Sequence, residues 1–210
     1  MKKVLNHLKK SDPVLGAIIE RVGPYAMPYR EPGFQTLVRS IVSQQLSGKA
    51  AATIFSRVMG AASPAGEDGV DASEPLTPEA ILKLRPQKMR KLGLSQQKVT
   101  YIRELARMTR DGEIVFEKLP ELEDTEVIAH LTRVKGVGVW TVHMFLMFAL
   151  RRPNVLPVGD LGVRMGMKKV YGLAELPKPA EMEKIAAAWH PWCSVASWYM
   201  WRSLENEGAM

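Results

Sequence analysis

The chain has one cysteine, Cys193, in 210 residues. A single thiol excludes an internal disulfide framework and any four-cysteine zinc or iron–sulfur site. Its four histidines, His7, His130, His143 and His190, share no metal-ligand spacing and read as scattered structural residues. Long hydrophobic runs are missing too. The longest apolar stretch, Val137 to Leu150, contains His143 and falls short of the roughly 18 residues that span a bilayer. At the N-terminus, MKKVLNHLKKSDPVLGAIIERVG, the residues Asn6, His7, Lys9 and Lys10 interrupt any continuous apolar core, so no signal peptide is expected. Runs of alternating β-branched residues are also absent, which argues against a sheet. The expectation is a soluble intracellular protein built from helices, with no membrane partner.

Charge and apolar content are what the chain does have. It carries 29 Lys+Arg against 22 Asp+Glu, a net charge of +7. That balance favours a polyanionic partner, with nucleic acid ahead of a membrane surface, although solubility alone would explain the same excess. With 46% apolar residues, the chain can bury one core or two small lobes.

Helical periodicity runs through most of the sequence. GFQTLVRSIVSQQ places Phe34, Leu37, Val38, Ile41 and Val42 on one stripe. Ser47 is positioned to cap the helix that follows, Thr77 caps another with Pro78 at its first position, and Ser95 caps a third after a break at Gly93. Counted through to SVASWYMWRSLEN, the pattern gives about ten helices with short connections. Residues 60–78, GAASPAGEDGVDASEPLTP, read as a surface loop or partly disordered insertion.

The segment LTRVKGVGVWTVHMF, residues 131–145, places Gly136 and Gly138 directly ahead of an apolar helix. A helix-interior glycine costs about 1 kcal/mol relative to alanine, so the pair needs a reason. The dinucleotide fingerprint fails, because the third-glycine position holds Thr141 and a helix precedes the motif. A phosphate-binding P-loop fails as well, since Gly48-Lys49 is followed by Ala50. A helix, a tight V-K-G-V-G turn and a second helix remain. Such a turn lets the backbone approach a ligand, and the amides opening the next helix can grip a phosphate. An ordinary helix–helix connection would use the same residues.

L-x-x-V-K-G-V-G-V-W-T, Leu131 to Thr141, resembles the helix-hairpin-helix motif of the DNA glycosylase superfamily that carries a Gly/Pro-rich segment and an aspartate. Further segments follow in the family's order. IVSQQLSGKAA (Ile41–Ala51) is similar to the element that fills the DNA gap, and LGLSQQKVTYIRELA (Leu92–Ala106) to a core helix. LPVGDLGVRMG (Leu156–Gly166) is similar to the loop bearing the catalytic aspartate. WHPWCSVASWYMWR (Trp189–Arg202) resembles the C-terminal helix of the 3-methyladenine DNA glycosylase II branch. The resemblance covers residues from about 30 to about 205.

The resemblance implies a monofunctional DNA glycosylase that flips alkylated purines such as 3-methyladenine or 7-methylguanine out of duplex DNA and hydrolyses the N-glycosidic bond. Asp160 is implied as the catalytic residue; read only from its place before an apolar helix, it is first a helix N-cap, a role compatible with catalysis because the helix N-terminus favours an ionised carboxylate. Bifunctional relatives hold a Schiff-base lysine two residues beyond the second glycine, where this chain has Trp140, so no lyase activity is implied. All five tryptophans lie between residues 140 and 201. Core packing is their default role, but the resemblance singles out Trp140 and Trp192 as walls of the base pocket, with His143 and Met144 nearby.

Gln45 is the implied gap-filling wedge, with Leu46 second. Val134, Gly136 and Gly138 of the hairpin, with Lys135, Lys49 and Arg164, are the implied phosphate contacts, and Arg133 is a further basic candidate. No cofactor is required, although relatives often hold a monovalent cation at the hairpin carbonyls. The expected architecture is all-α with two lobes and an active-site cleft between them. One lobe spans 30–145 and ends in the hairpin (131–150), and the other combines 1–29 with 146–210 and carries Asp160. About thirty residues precede the core, so the additional N-terminal β domain of some bacterial members is expected to be missing, as in the compact yeast-like form. The expected protein is a monomer whose partner is damaged duplex DNA, in the cytoplasm or nucleoid, or in a eukaryotic nucleus. Two other readings use the same features: a non-catalytic DNA-binding module, and a bifunctional oxidised-base glycosylase.

Overall fold

A computed structural model describes residues 1–63 and 75–205. Among these residues there are α-helices and short 3₁₀ turns, and no strand. The helices are α1 (Lys2–Ser11), α2 (Pro13–Val22), α3 (Phe34–Ser43), α4 (Gly48–Ala62), α5 (Pro78–Lys83) and α6 (Pro86–Lys91). They continue as α7 (Gln96–Arg110), α8 (Asp124–Leu131), α9 (Val139–Phe148), α10 (Leu161–Val170), α11 (Pro179–Ala186) and α12 (Cys193–Glu205). None is long and apolar enough to cross a membrane. The protein is all-α, as the periodicity predicts, with more helices than the sequence pattern separates. One reason is Pro13, which forces Asp12 into an extended conformation and splits the N-terminal segment into two helices.

The predicted caps at Ser47, Thr77 and Ser95 form, each side-chain oxygen accepting from the backbone amide three residues on. One boundary differs from the sequence reading. α4 continues to Ala62, so residues 60–62 are helix rather than loop; the alanines favour helix where the composition suggested a loop. Residues 64–74 of that segment lie outside the described residues.

The chain divides into two compact units, Arg30–Phe145 and Met1–Tyr29 with Leu146–Met210. In the first, the expected stripe of α3 (Phe34, Leu37, Val38, Ile41, Val42) is buried against α4 and α7. α7 buries Val99, Ile102, Leu105 and Ala106 and receives α5 on its flank. Each such aliphatic side chain contributes about 1.5–3 kcal/mol on burial. The C-terminal end of α3 leaves carbonyls without helical partners. Lys98 from α7 supplies them, its Nζ donating at 2.7 Å to the carbonyls of both Val42 and Gln44.

In the second unit, α2 and α10 pack on α12, which buries Cys193 through Met200 without a break. α10 meets α12 at Gly166, where a Cβ would stand 2.5 Å from the carbonyl oxygen of Met200. Only a glycine permits that approach. Asp12 ties the ends of this unit together: its carboxylate caps Leu15 (2.9 Å) and also accepts from Tyr171 Oη (2.5 Å) and Trp189 Nε1 (2.9 Å). Trp189 is fully buried, as its default core role requires.

Candidate active site

The two glycines of the hairpin do different work. Gly136 has a φ of +84°, and a Cβ there would overlap the ring of Tyr101; both the turn and the packing demand a glycine. Gly138 faces open space and has no positive φ. It is exposed, and its carbonyl accepts the first hydrogen bond of α9 from Val142 N at 3.1 Å. The turn closes through Val137 N donating to Val134 O at 3.0 Å, with Val134 and Val137 buried beneath it. Gly138 therefore leaves clear backbone at the start of a helix, where amides point outward and the dipole favours an anion.

Gln45 and Leu46 lie in the break between α3 and α4. Gln45 adopts a left-handed φ of 56°, uncommon for a residue other than glycine and concentrated at functional turns. Both residues are exposed, Leu46 to 40%. Beside them, Gln44 Nε2 donates to Gly136 O at 2.9 Å. The break is thus tied directly to the hairpin and held from below by Lys98. The sequence places Gln44 with Gln45 and Leu46 at this break but gives no sign of its bond to the hairpin, and it gives Lys98 no role, because a helix-ending glutamine and an amphipathic-helix lysine do not reveal partners that far along the chain.

Of the implied phosphate contacts, Lys49 and Lys135 are exposed. Arg164 Nε donates to Pro177 O at 3.0 Å, and Arg133 pairs with Glu113 at 3.3 Å, so these two guanidinium groups already have protein partners. Trp140 sits on the first turn of α9 with 45% of its surface exposed. His143 and Met144 follow on the same helix and are half-buried, as is Trp192 just ahead of α12. Burial holds the His143 imidazole below its ordinary value of 6.5, against an opposing pull from Asp124. Its neutral form is therefore favoured at neutral pH. Among the described residues no group of His, Cys, Asp and Glu has the arrangement of a metal site.

Asp160 is the N-cap of α10 and is 8% exposed. The loop leading to it is stitched to the start of α12 through one serine. Ser194 N donates to Pro153 O (3.0 Å), Ser194 Oγ donates to Arg152 O (2.6 Å), and Val155 N donates to Ser194 Oγ (3.0 Å). Asp160 N then donates to Pro157 O at 2.8 Å. The carboxylate oxygen Oδ1 accepts from Val163 N at 2.8 Å and from Trp201 Nε1 at 2.7 Å. Both the cap and a side-chain donor thus fix its plane. A carboxylate immobilised at a helix N-terminus is suited to stabilising a cation or to taking a proton from water.

This architecture recurs in known proteins. DNA-3-methyladenine glycosylase 1 of Schizosaccharomyces pombe is 33% identical over 202 residues, covering 94% of this chain and 85% of its own length. The solved structure of the S. pombe 3-methyladenine DNA glycosylase in complex with abasic DNA has a TM-score of 0.84 at 31% identity, with 99% of each chain covered. The DNA-3-methyladenine glycosidase of Bacillus halodurans has a TM-score of 0.83 at 35% identity, covering 97% of this chain and 89% of that one. Residues 38–191 match the model of the HhH-GPD superfamily of base excision DNA repair proteins, and the chain belongs to that family.

Proposed function

We propose that the protein is a monofunctional DNA glycosylase that releases alkylated purines of the 3-methyladenine and 7-methylguanine type from duplex DNA, starting base excision repair. The observation that carries this reading is the Asp160 carboxylate, held by Val163 N and Trp201 Nε1 at the head of α10. As the N-glycosidic bond breaks, its electron pair leaves with the base and the sugar becomes oxocarbenium-like. Asp160 stabilises that charge and takes a proton from the water that adds to the sugar. A cationic alkylated base departs neutral, so no strong general acid is needed. Aromatic faces attract such a base by about 0.5–2 kcal/mol, the part this reading gives to Trp140 and Trp192, with His143 and Met144 as further base-pocket residues. Trp140 has no amine to form a Schiff base, and the product is an intact abasic site.

Flipping the base leaves a gap, which Gln45 fills, with Leu46 beside it. The hairpin at Val134, Gly136 and Gly138 holds a backbone phosphate, and Lys135 and Lys49 add charge. Arg164 contributes its guanidinium nitrogens other than Nε. The chemistry requires no cofactor. The carbonyls of Val134 and Gly136 each accept one N–H donor, and the second lone pair on each suits a monovalent cation that would add positive charge beside the phosphate. The protein acts as a monomer where the DNA is, in the nucleoid or nucleus.

The test is base release from methylated duplex DNA by the native protein and by Asp160→Asn, at concentrations giving matched DNA binding. A loss of roughly 10²–10³ in rate in the variant supports the reading. Binding without release by the native protein, across several alkylated bases, would instead indicate a DNA-binding module.

A further inference from the structure

Trp201 lies on α12, whose tryptophans read from their spacing as ordinary core residues, yet its indole reaches the proposed reaction centre. Nε1 donates to Asp160 Oδ1 at 2.7 Å, the shorter of the two hydrogen bonds described for that oxygen. Two neighbours place the ring. Phe148 stacks on it, with ring centroids 5.8 Å apart and planes inclined by 18°. Gly162 provides the space: a Cβ there would stand 2.8 Å from Trp201 Cδ1, 3.0 Å from Nε1 and 3.2 Å from Asp160 Oδ1. Gly162 has no positive φ, so its backbone does not require glycine; the passage of the indole does.

We infer that Trp201 is a positioning residue for glycosidic cleavage, orienting the Asp160 carboxylate through its indole N–H, with Gly162 as the aperture that lets it do so. The inference rests on the proposed role of Asp160. A backbone cap alone leaves a carboxylate able to turn about its side-chain bonds. A second donor from a stacked, half-buried ring restricts that rotation. Charge-assisted hydrogen bonds of this kind are the strong ones, and preorganisation is what makes a fixed charge catalytic.

The test is a double-mutant cycle read by single-turnover base release at saturating enzyme, with DNA affinity and thermal stability measured on every variant. Trp201→Phe keeps an aromatic ring against Phe148 and removes the donor. It is expected to slow release by roughly ten- to hundredfold while DNA affinity stays within about twofold. In the Asp160→Asn background the same substitution is expected to change the residual rate by less than about twofold, because its effect passes through the carboxylate. Gly162→Ala retains every polar group, and by displacing the indole it should reproduce the loss, again only when Asp160 is present. Native release by Trp201→Phe and by Gly162→Ala overturns the inference, as does an equal loss in both Asp160 backgrounds, the mark of a merely structural role. If Trp201→Phe does not fold, Gly162→Ala in the same cycle decides. Native release by Asp160→Asn itself is a separate result: it removes the proposed role of Asp160, whatever Trp201 does.

Discussion

The side-chain amide of Gln44 donates to the carbonyl of Gly136 at 2.9 Å, joining the end of α3 to the hairpin across 92 positions of chain. The same carbonyl belongs to the residue whose positive φ makes the turn. Gln44→Ala should lower the unfolding free energy by about 1 kcal/mol, the usual net value of one hydrogen bond. Gln44→Glu sets acceptor against acceptor and should cost more than Gln44→Ala. Urea unfolding measures both.

The hairpin glycines should separate under substitution. Gly136→Ala meets the ring of Tyr101 and a left-handed φ, and should destabilise the protein by more than about 3 kcal/mol. Gly138→Ala enters open space and should leave unfolding within about 1 kcal/mol of native. Its effect belongs in DNA affinity, read by titration of an abasic duplex, because an added methyl stands where the backbone would approach a phosphate.

Asp160 is both a helix cap and the proposed catalytic group, and two variants distinguish the roles. Asn is a good N-cap, so Asp160→Asn should keep stability within about 0.5 kcal/mol of native and still lose base release. Asp160→Ala removes the acceptor for Val163 N and should cost about 1 kcal/mol in addition. Chemical denaturation beside a release assay reads both.

His143 should make stability fall in mild acid. Burial depresses its folded value below the ordinary 6.5, so the unfolded chain binds protons more readily in that window. Stability is fully present above the unfolded value and declines as the pH drops through it toward the folded one. His130 is depressed in the same direction, by burial and then by Arg133. His143→Gln should therefore flatten, without abolishing, the difference between urea midpoints at about pH 7.5 and about pH 5.5.

Cys193 is fully buried, and burial pushes its thiol up to about 12. In the folded protein a thiol reagent at about pH 8 should react more than about 100-fold more slowly than in denaturant. Equal rates would show that the start of α12 opens readily.

The sequence exposed the parts of this protein that depend on local rules. Caps at Ser47, Thr77 and Ser95, the α3 stripe and the hairpin all follow from spacing and side-chain chemistry. So does the position of Asp160 as the cap ahead of α10; its reading as the catalyst comes from the resemblance to the glycosylase family and not from local rules. Longer-range relationships were hidden. Gln44, Lys98 and Trp201 are residue types that helices accept anywhere, and which carbonyl or carboxylate each one meets is set by packing. The boundary near residue 60 was misjudged because small residues are shared by loops and by tightly packed helices. The difference between Gly136 and Gly138 was likewise illegible, since it depends on Tyr101 more than thirty positions away.

Gly162 and Gly166 carry no side chain that could touch a substrate, yet each one governs the spacing of α10 from α12. Enlarging Gly166 would drive it into the backbone at Met200, and enlarging Gly162 would move the indole at Trp201. A genetic screen scored on survival after alkylating treatment should therefore mark both positions as intolerant, with a phenotype like that of Asp160 itself. Positions like these, where emptiness is the functional attribute, would be overlooked by any search for reactive groups, and would surface in inherited or selected variants as repair defects without an evident chemical cause.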